Sequence, residues 1–218
     1  MYEIDISMSP ATIETLKNEG YALYGFKVVQ TAAKGGAPLV WFKTTKILTG
    51  TKVLWEEAYQ AYVSTSDIIT NGVIDASTSC DITLGQTAEI DPSGVITSSS
   101  DGTEGAISIN NLGTTPYTAG ISQMTDGIAK AMCAIPLHGM ALDEIVPIEK
   151  VLLMFASNTV NTGTVIYKSF SPGLLVDLTA APTRPVAFDI DLGWSWGTGT
   201  WAIQVAAEAN LVPLLITD

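Results

Sequence analysis

His138, in PLHGM, is the only histidine of the chain, and that removes most catalytic patterns at once. A two-histidine metal site within one chain is impossible, so the HExxH and Cys2His2 zinc patterns are absent. A Ser-His-Asp triad has to take His138 as its base, and no GxSxG elbow accompanies it. A lone histidine in a loop rarely carries chemistry. No GxxxxGK[ST] loop is present, and GTGT at 197–200 reads as a turn with no helix behind it to cradle a phosphate. Two carboxylates held roughly 5–10 Å apart can cleave a glycosidic bond. Asp189 with Asp191 is the pair on one strand face, whereas Glu56 and Glu57 fall on opposite faces. In a chain this acidic, such pairs arise by chance. DPSG (91–94) and SDGTEG (100–105) are oxygen-rich loops that lack the EF-hand pattern, so calcium is the one ion they suggest. No metal ligands and no cofactor are assigned, and the expectation is a protein that is not an enzyme.

The second feature is GWSWGTGTW (193–201), which holds Trp194, Trp196 and Trp201, three of the five tryptophans. With a turn at Gly197–Thr200, Trp196 faces Trp201 across an antiparallel hairpin, Trp194 faces Ile203, and Leu192 faces Val205. Alternation then lines Phe188, Ile190, Leu192, Trp194 and Trp196 along one apolar face. Packing is the plainer explanation of such a stripe. An indole near the loop end of a hairpin can also stack on a sugar or sit at lipid headgroup level. Trp194, Trp196 and Trp201 are therefore the expected ligand-binding residues.

Charge narrows the partners. Net charge is −12, with one arginine, Arg184. The first 66 residues balance six acids against six lysines, while Asp67 to Glu149 holds eleven acids and one base, Lys130. Nucleic-acid binding runs on Lys and Arg against phosphate, so nucleic acid is not an expected partner. The same shortage argues against a polybasic grip on anionic lipid. Solubility and self-repulsion account for the acidic middle. MYEIDISMSP has no basic and apolar leader pattern, and no apolar run approaches the roughly 20 residues of a membrane helix. The expectation is a soluble protein, cytoplasmic or released by an unconventional route. Cys80 and Cys133 form one bridge or none, and two free thiols are the plainer reading.

These residues need elements to hold them. Ser9 is an N-cap, Pro10 suits the first helical position, and Asn18-Glu19-Gly20 is a stop, which predicts one short helix. Period-2 texture follows. Strands are predicted at 21–30, 38–47, 51–65, 80–90, 94–98, 105–111, 151–157, 163–170, 173–179, 185–196 and 200–208. SQMTDGIAKAM (122–132) reads as a short helix, because Ile128, Ala131 and Met132 have helical spacing. Pro147 breaks 141–150, and Pro213 makes LVPLLI (211–216) an edge or terminal strand. The prediction is all-β with minor α: one β-sandwich domain over 1–218, made of two packed, mostly antiparallel sheets and a short N-terminal helix.

The Ser, Thr and Gly density of residues 83–118 has the texture of segments that refold into membrane hairpins in pore-forming toxins, and equally of ordinary surface strands. Acidic, tryptophan-bearing, poor in Lys and Arg, and leaderless, the chain resembles small β-sandwich cytolysins and fungal or bacterial lectins, although no motif assigns it to either. The function expected is non-enzymatic binding of a cell-surface glycan or membrane lipid, with cytolysin-like or insecticidal pore formation as its extreme form. A self-assembling capsid, fibre or inclusion subunit, hence a homo-oligomer, is the first alternative. Exposed edges such as LVPLLI favour it. A hydrolase using acids or His138 is the second.

Overall fold

A computed structural model describes residues 1–125 and 127–218. In chain order the elements are β1 (Tyr2–Ser7), α1 (Pro10–Asn18), β2 (Ala22–Gln30), β3 (Ala37–Pro38), β4 (Phe42–Thr44), β5 (Gly50–Trp55), β6 (Tyr59–Ser64), β7 (Thr78–Ile82), β8 (Gln86–Ile90), β9 (Ile96–Ser99), β10 (Ile107–Asn111), β11 (Tyr117–Thr125), β12 (Ile128–Ala131), β13 (Cys133–Leu137), β14 (Leu142–Ala156), β15 (Gly173–Asp177), β16 (Thr183–Asp189), β17 (Gly193–Ser195), β18 (Ala202–Val205), α2 (Val212–Leu215) and β19 (Ile216–Thr217). The chain is mostly β, with a short N-terminal helix, as the sequence texture predicts. The sheets number three rather than two. One runs β17-β16-β1-β5, one holds nine strands around β14 and β2, and one runs β3-β13-β11-β6-β7 with β12 beside β11.

The helix forms where its caps are. Ser9 Oγ accepts from the Thr12 N–H at 3.1 Å, Pro10 opens the first turn, and Gly20 closes the end at φ +71°. Its Ile13 and Leu16 join a core shared by all three sheets: Ile4, Ile6 and Val53 from the first, Leu23, Ile107 and Val151 from the second, Ala61, Ile121 and Ile135 from the third.

β2 and the second part of β14, 151–156, are buried on both faces, which is why they read as near-continuous apolar runs. Leu23 and Val29 point into the shared core, while Tyr24, Phe26 and Val28 point into a second cluster closed by Leu211 and Leu215 of the C-terminal segment. Lys27 lies on the first of these faces by alternation. A Cβ at Gly25 would sit 2.0 Å from the Phe42 ring, so glycine there admits the aromatic on β4.

Several expectations are corrected. Residues 122–132 are not helical: β11 and β12 form a hairpin with Thr125 opposite Ile128 and Gly127 at φ +73°. Asp126 lies outside the described residues. LVPLLI is no edge strand. Pro213 stands at the start of the single helical turn α2, where its missing N–H costs nothing, and β19 then pairs parallel to β2. Residues 142–156 form one fifteen-residue strand that carries Pro147 and shifts register between Ile148 and Val151. Residues 163–170 make isolated bridges rather than a strand. The hairpin across GTGT does not exist. Phe188 pairs with Trp194, so the chain turns at 190–192, and β18 leaves to pair with β15 in another sheet. Turn chemistry decides this: Asp189 Oδ1 accepts from the Asp191 and Leu192 N–H groups, and Gly193 takes φ +79°. Leu192, expected on the apolar face, is 89% exposed.

Within residues 83–118, Ile90, Ile107 and Ile109 are fully buried in the shared core, so refolding that segment would strip the core. No helix among the described residues is long and apolar enough to cross a membrane. Cys80 and Cys133 are free thiols, and burial pushes Cys133 up to about 12.

Candidate functional site

The three tryptophans do not form one platform. Trp194 is 5% exposed, stacks on Phe155 with ring centroids 5.5 Å apart, and lies 4.9 Å from Phe188. As a ligand-stacking residue it is corrected to a core residue, because the early turn folds β17 back onto β16. Trp196 and Trp201 are half-buried. The Trp196 indole N–H donates to the Gly199 carbonyl at 2.9 Å, and the Arg184 guanidinium covers Trp201 at 4.9 Å from its centroid. Each therefore has an internal partner.

The acids and His138 are equally committed or isolated. Backbone donors hold the Asp189 carboxyl below its ordinary range, and Thr12 Oγ1 adds a third bond, so it is a turn acid. Asp91 accepts from the Ser93 hydroxyl and the Val95 N–H, which also lowers it. Neither it nor Asp101 belongs to a group of three or more metal-ligating side chains among the described residues. His138 is exposed, and no nucleophile is hydrogen-bonded to its ring among the described residues.

Two arrangements escaped the sequence reading. The first is a cleft of about 440 Å³ where unpaired edges of all three sheets meet: β4 of the nine-stranded sheet, β5 of the four-stranded sheet, and the β11–β12 hairpin. Lys43, Lys46, Lys52 and Lys130 line it with Leu48, Leu54, Phe42 and Thr125. No carboxylate lines it among the described residues. Lys17 and Glu14 of α1 line the adjoining hollow, which shares Leu48. Five of the ten cationic side chains of a −12 protein therefore converge on one side. Lys52 is tied to Glu3 at 2.6 Å and Asp5 at 3.6 Å, and Lys43 donates to the Val160 carbonyl at 3.1 Å. Lys46 and Lys130 make no ion pair among the described residues. The cleft sets lysines beside an aliphatic wall, a setting for an anionic group joined to an apolar one. The signal for it was the lysine bias of the first 66 residues, which the fold completes with Lys130, the one base of the acidic middle.

The second is a buried ion pair. Lys27 Nζ, wholly buried, meets Glu149 Oε2 at 2.8 Å. The Trp55 indole N–H donates to the same oxygen at 2.7 Å, and the Tyr59 hydroxyl donates to Oε1 at 3.2 Å. The ammonium lies 4.6 Å from the Trp55 centroid and 5.5 Å from that of Trp41. Burial lowers Lys27 to about 8, with Glu149 opposing the shift. Burial and the Glu149 charge push Tyr59 well above the ordinary phenol range. Glu149 sits in the register shift of β14, which turns its carboxylate toward Lys27. With Lys27 out of reach of solvent, this cluster is a structural centre. Its sequence signal was a lysine inside the apolar run YALYGFKVV.

No protein-family model matches the chain, and searches of curated proteins and of solved structures give no match.

Proposed function

We propose that this protein is a non-enzymatic binding protein for a cell-surface glycan or membrane lipid carrying an anionic group, and that the cleft between β4, β5 and β12 receives that group. The observation that supports this reading is the gathering of Lys43, Lys46, Lys52 and Lys130 around one cleft in a protein of net charge −12. Self-repulsion disperses like charges unless something opposes it. Four lysines lining a common space, two of them without an ion-pair partner among the described residues, suit a phosphate, sulfate or carboxylate. The aliphatic side chains between them suit the sugar ring or glycerol unit that bears it. Exposed His138 and the turn-bound acids supply no base poised beside a nucleophile, so binding is favoured over hydrolysis.

The test is a panel of immobilised glycans and lipids, neutral and anionic, probed at low and high salt. Binding confined to anionic members, weakened by salt and abolished in a Lys46→Glu/Lys130→Glu variant, supports the proposal. Binding to neutral sugars that the lysine substitutions leave intact overturns it.

A further inference from the structure

Resting on that reading, we infer that the anion is presented by a bilayer: the cleft and its rim dock on a membrane surface containing anionic phospholipid. The argument is a repeated pairing around the cleft. On each of three segments an exposed aliphatic side chain stands two residues from a lysine: Lys46 with Leu48, Lys52 with Leu54, and Ile128 with Lys130. In β5 and β12 alternation puts the two members of a pair on one face. Leu48 and Ile128 are each 61% exposed, and Leu54 is 37% exposed.

A soluble anion explains the lysines, and a sugar ring packs on the lining leucines, but neither gives a use for aliphatic side chains this exposed on three separate segments. A bilayer uses both. The ammonium groups reach the phosphate layer while the aliphatic tips enter the boundary below it. Glu3 and Asp5 pair with Lys52, which leaves the attraction to Lys46 and Lys130, and the part of the −12 net charge that lies more than a Debye length of about 8 Å from the surface is screened at physiological salt. The lysines are scattered from Lys43 to Lys130, so the sequence shows no polybasic segment. The fold assembles one from separate elements.

The experiment compares sedimentation with vesicles of neutral phosphatidylcholine, with and without a phosphatidylserine fraction, against titration with glycerophosphoserine, the headgroup without its chains. The unaltered protein is expected to bind only the mixed vesicles. Lys46→Glu/Lys130→Glu is expected to lose vesicles and headgroup alike, by about thirty-fold. Ile128→Asn, outside the lining of the cleft, is expected to lose roughly tenfold on vesicles while keeping its headgroup affinity. The substituted positions are surface residues, and an unchanged urea midpoint verifies folding. If the aliphatic variant binds vesicles as the unaltered protein does, or if the unaltered protein takes acidic glycans or headgroup but no vesicle, the membrane inference falls and the anion cleft stands. If no anion in any form binds, both fall.

Discussion

Replacing Glu149 by Gln keeps the shape of the buried centre and removes its negative charge. Lys27 then has no counter-charge, and the bonds from Trp55 and Tyr59 go to a neutral acceptor. Weakening those bonds costs about 1–2 kcal/mol. The remaining cost depends on pH. In the unaltered protein Lys27 titrates at about 8, so below pH 8 it is protonated both folded and unfolded and contributes no slope. In the variant the influence of Glu149 that raises this value is gone, and Lys27 stays neutral in the folded state while the unfolded chain binds the proton. The unfolded state then holds one more proton, and stability falls by about 1.4 kcal/mol for each unit that pH drops below 8. At pH 8 the variant is expected to be less stable by about 1–2 kcal/mol, and at pH 6 by about 4–5 kcal/mol, within the range for breaking a buried ion pair. Urea unfolding at pH 6, 7 and 8, with equal slopes for the two proteins, measures this. A stability gap that stays the same from pH 8 to pH 6 refutes the reasoning, because Lys27 would then be hydrated in the native state.

Three further outcomes follow from the same structure. Trp194→Ala is expected to lose about 3–5 kcal/mol, because its ring is sandwiched with Phe155 and Phe188, whereas Trp201→Ala loses roughly half as much; thermal or urea melts rank them. Gly120→Ala is expected to abolish soluble expression or cost several kcal/mol, since its Cβ would lie 2.1 Å from the Cys133 carbonyl, as a solubility assay and melt would report. Stability is expected to fall as pH rises past about 10: the raised Tyr59 stays protonated when folded while the unfolded phenol ionises, and Tyr59→Phe flattens that limb in melts across pH 9 to 11.

What was legible in the sequence is local chemistry. Ser9, Pro10 and Gly20 bound α1 because caps act within a few residues. The β2 and β15 stretches are apolar enough to read directly. What was not legible is pairing between distant segments. The alternation from Phe188 to Trp196 fits a long strand as well as a short one, and the side chain of Asp189, bonding its own next turn, breaks it at a point periodicity does not mark. Ile128, Ala131 and Met132 have helical spacing and fall on opposite faces of a strand, and the β11–β12 pairing overrides that periodicity. The cleft was invisible for the same reason: Lys46 and Lys130 are brought together only by three sheet edges meeting. The Lys27–Glu149 pair needed a register shift that composition does not announce.

The central claim is that an anionic ligand enters between β4, β5 and β12 and not at the tryptophans. Amide chemical-shift mapping of the labelled protein during titration with glycerophosphoserine tests it most directly. The account predicts salt-sensitive shifts concentrated in residues 42–54 and 127–131, with Gly193–Trp201 unmoved. Shifts centred on Trp196 and Trp201, or none at any ligand concentration, contradict it.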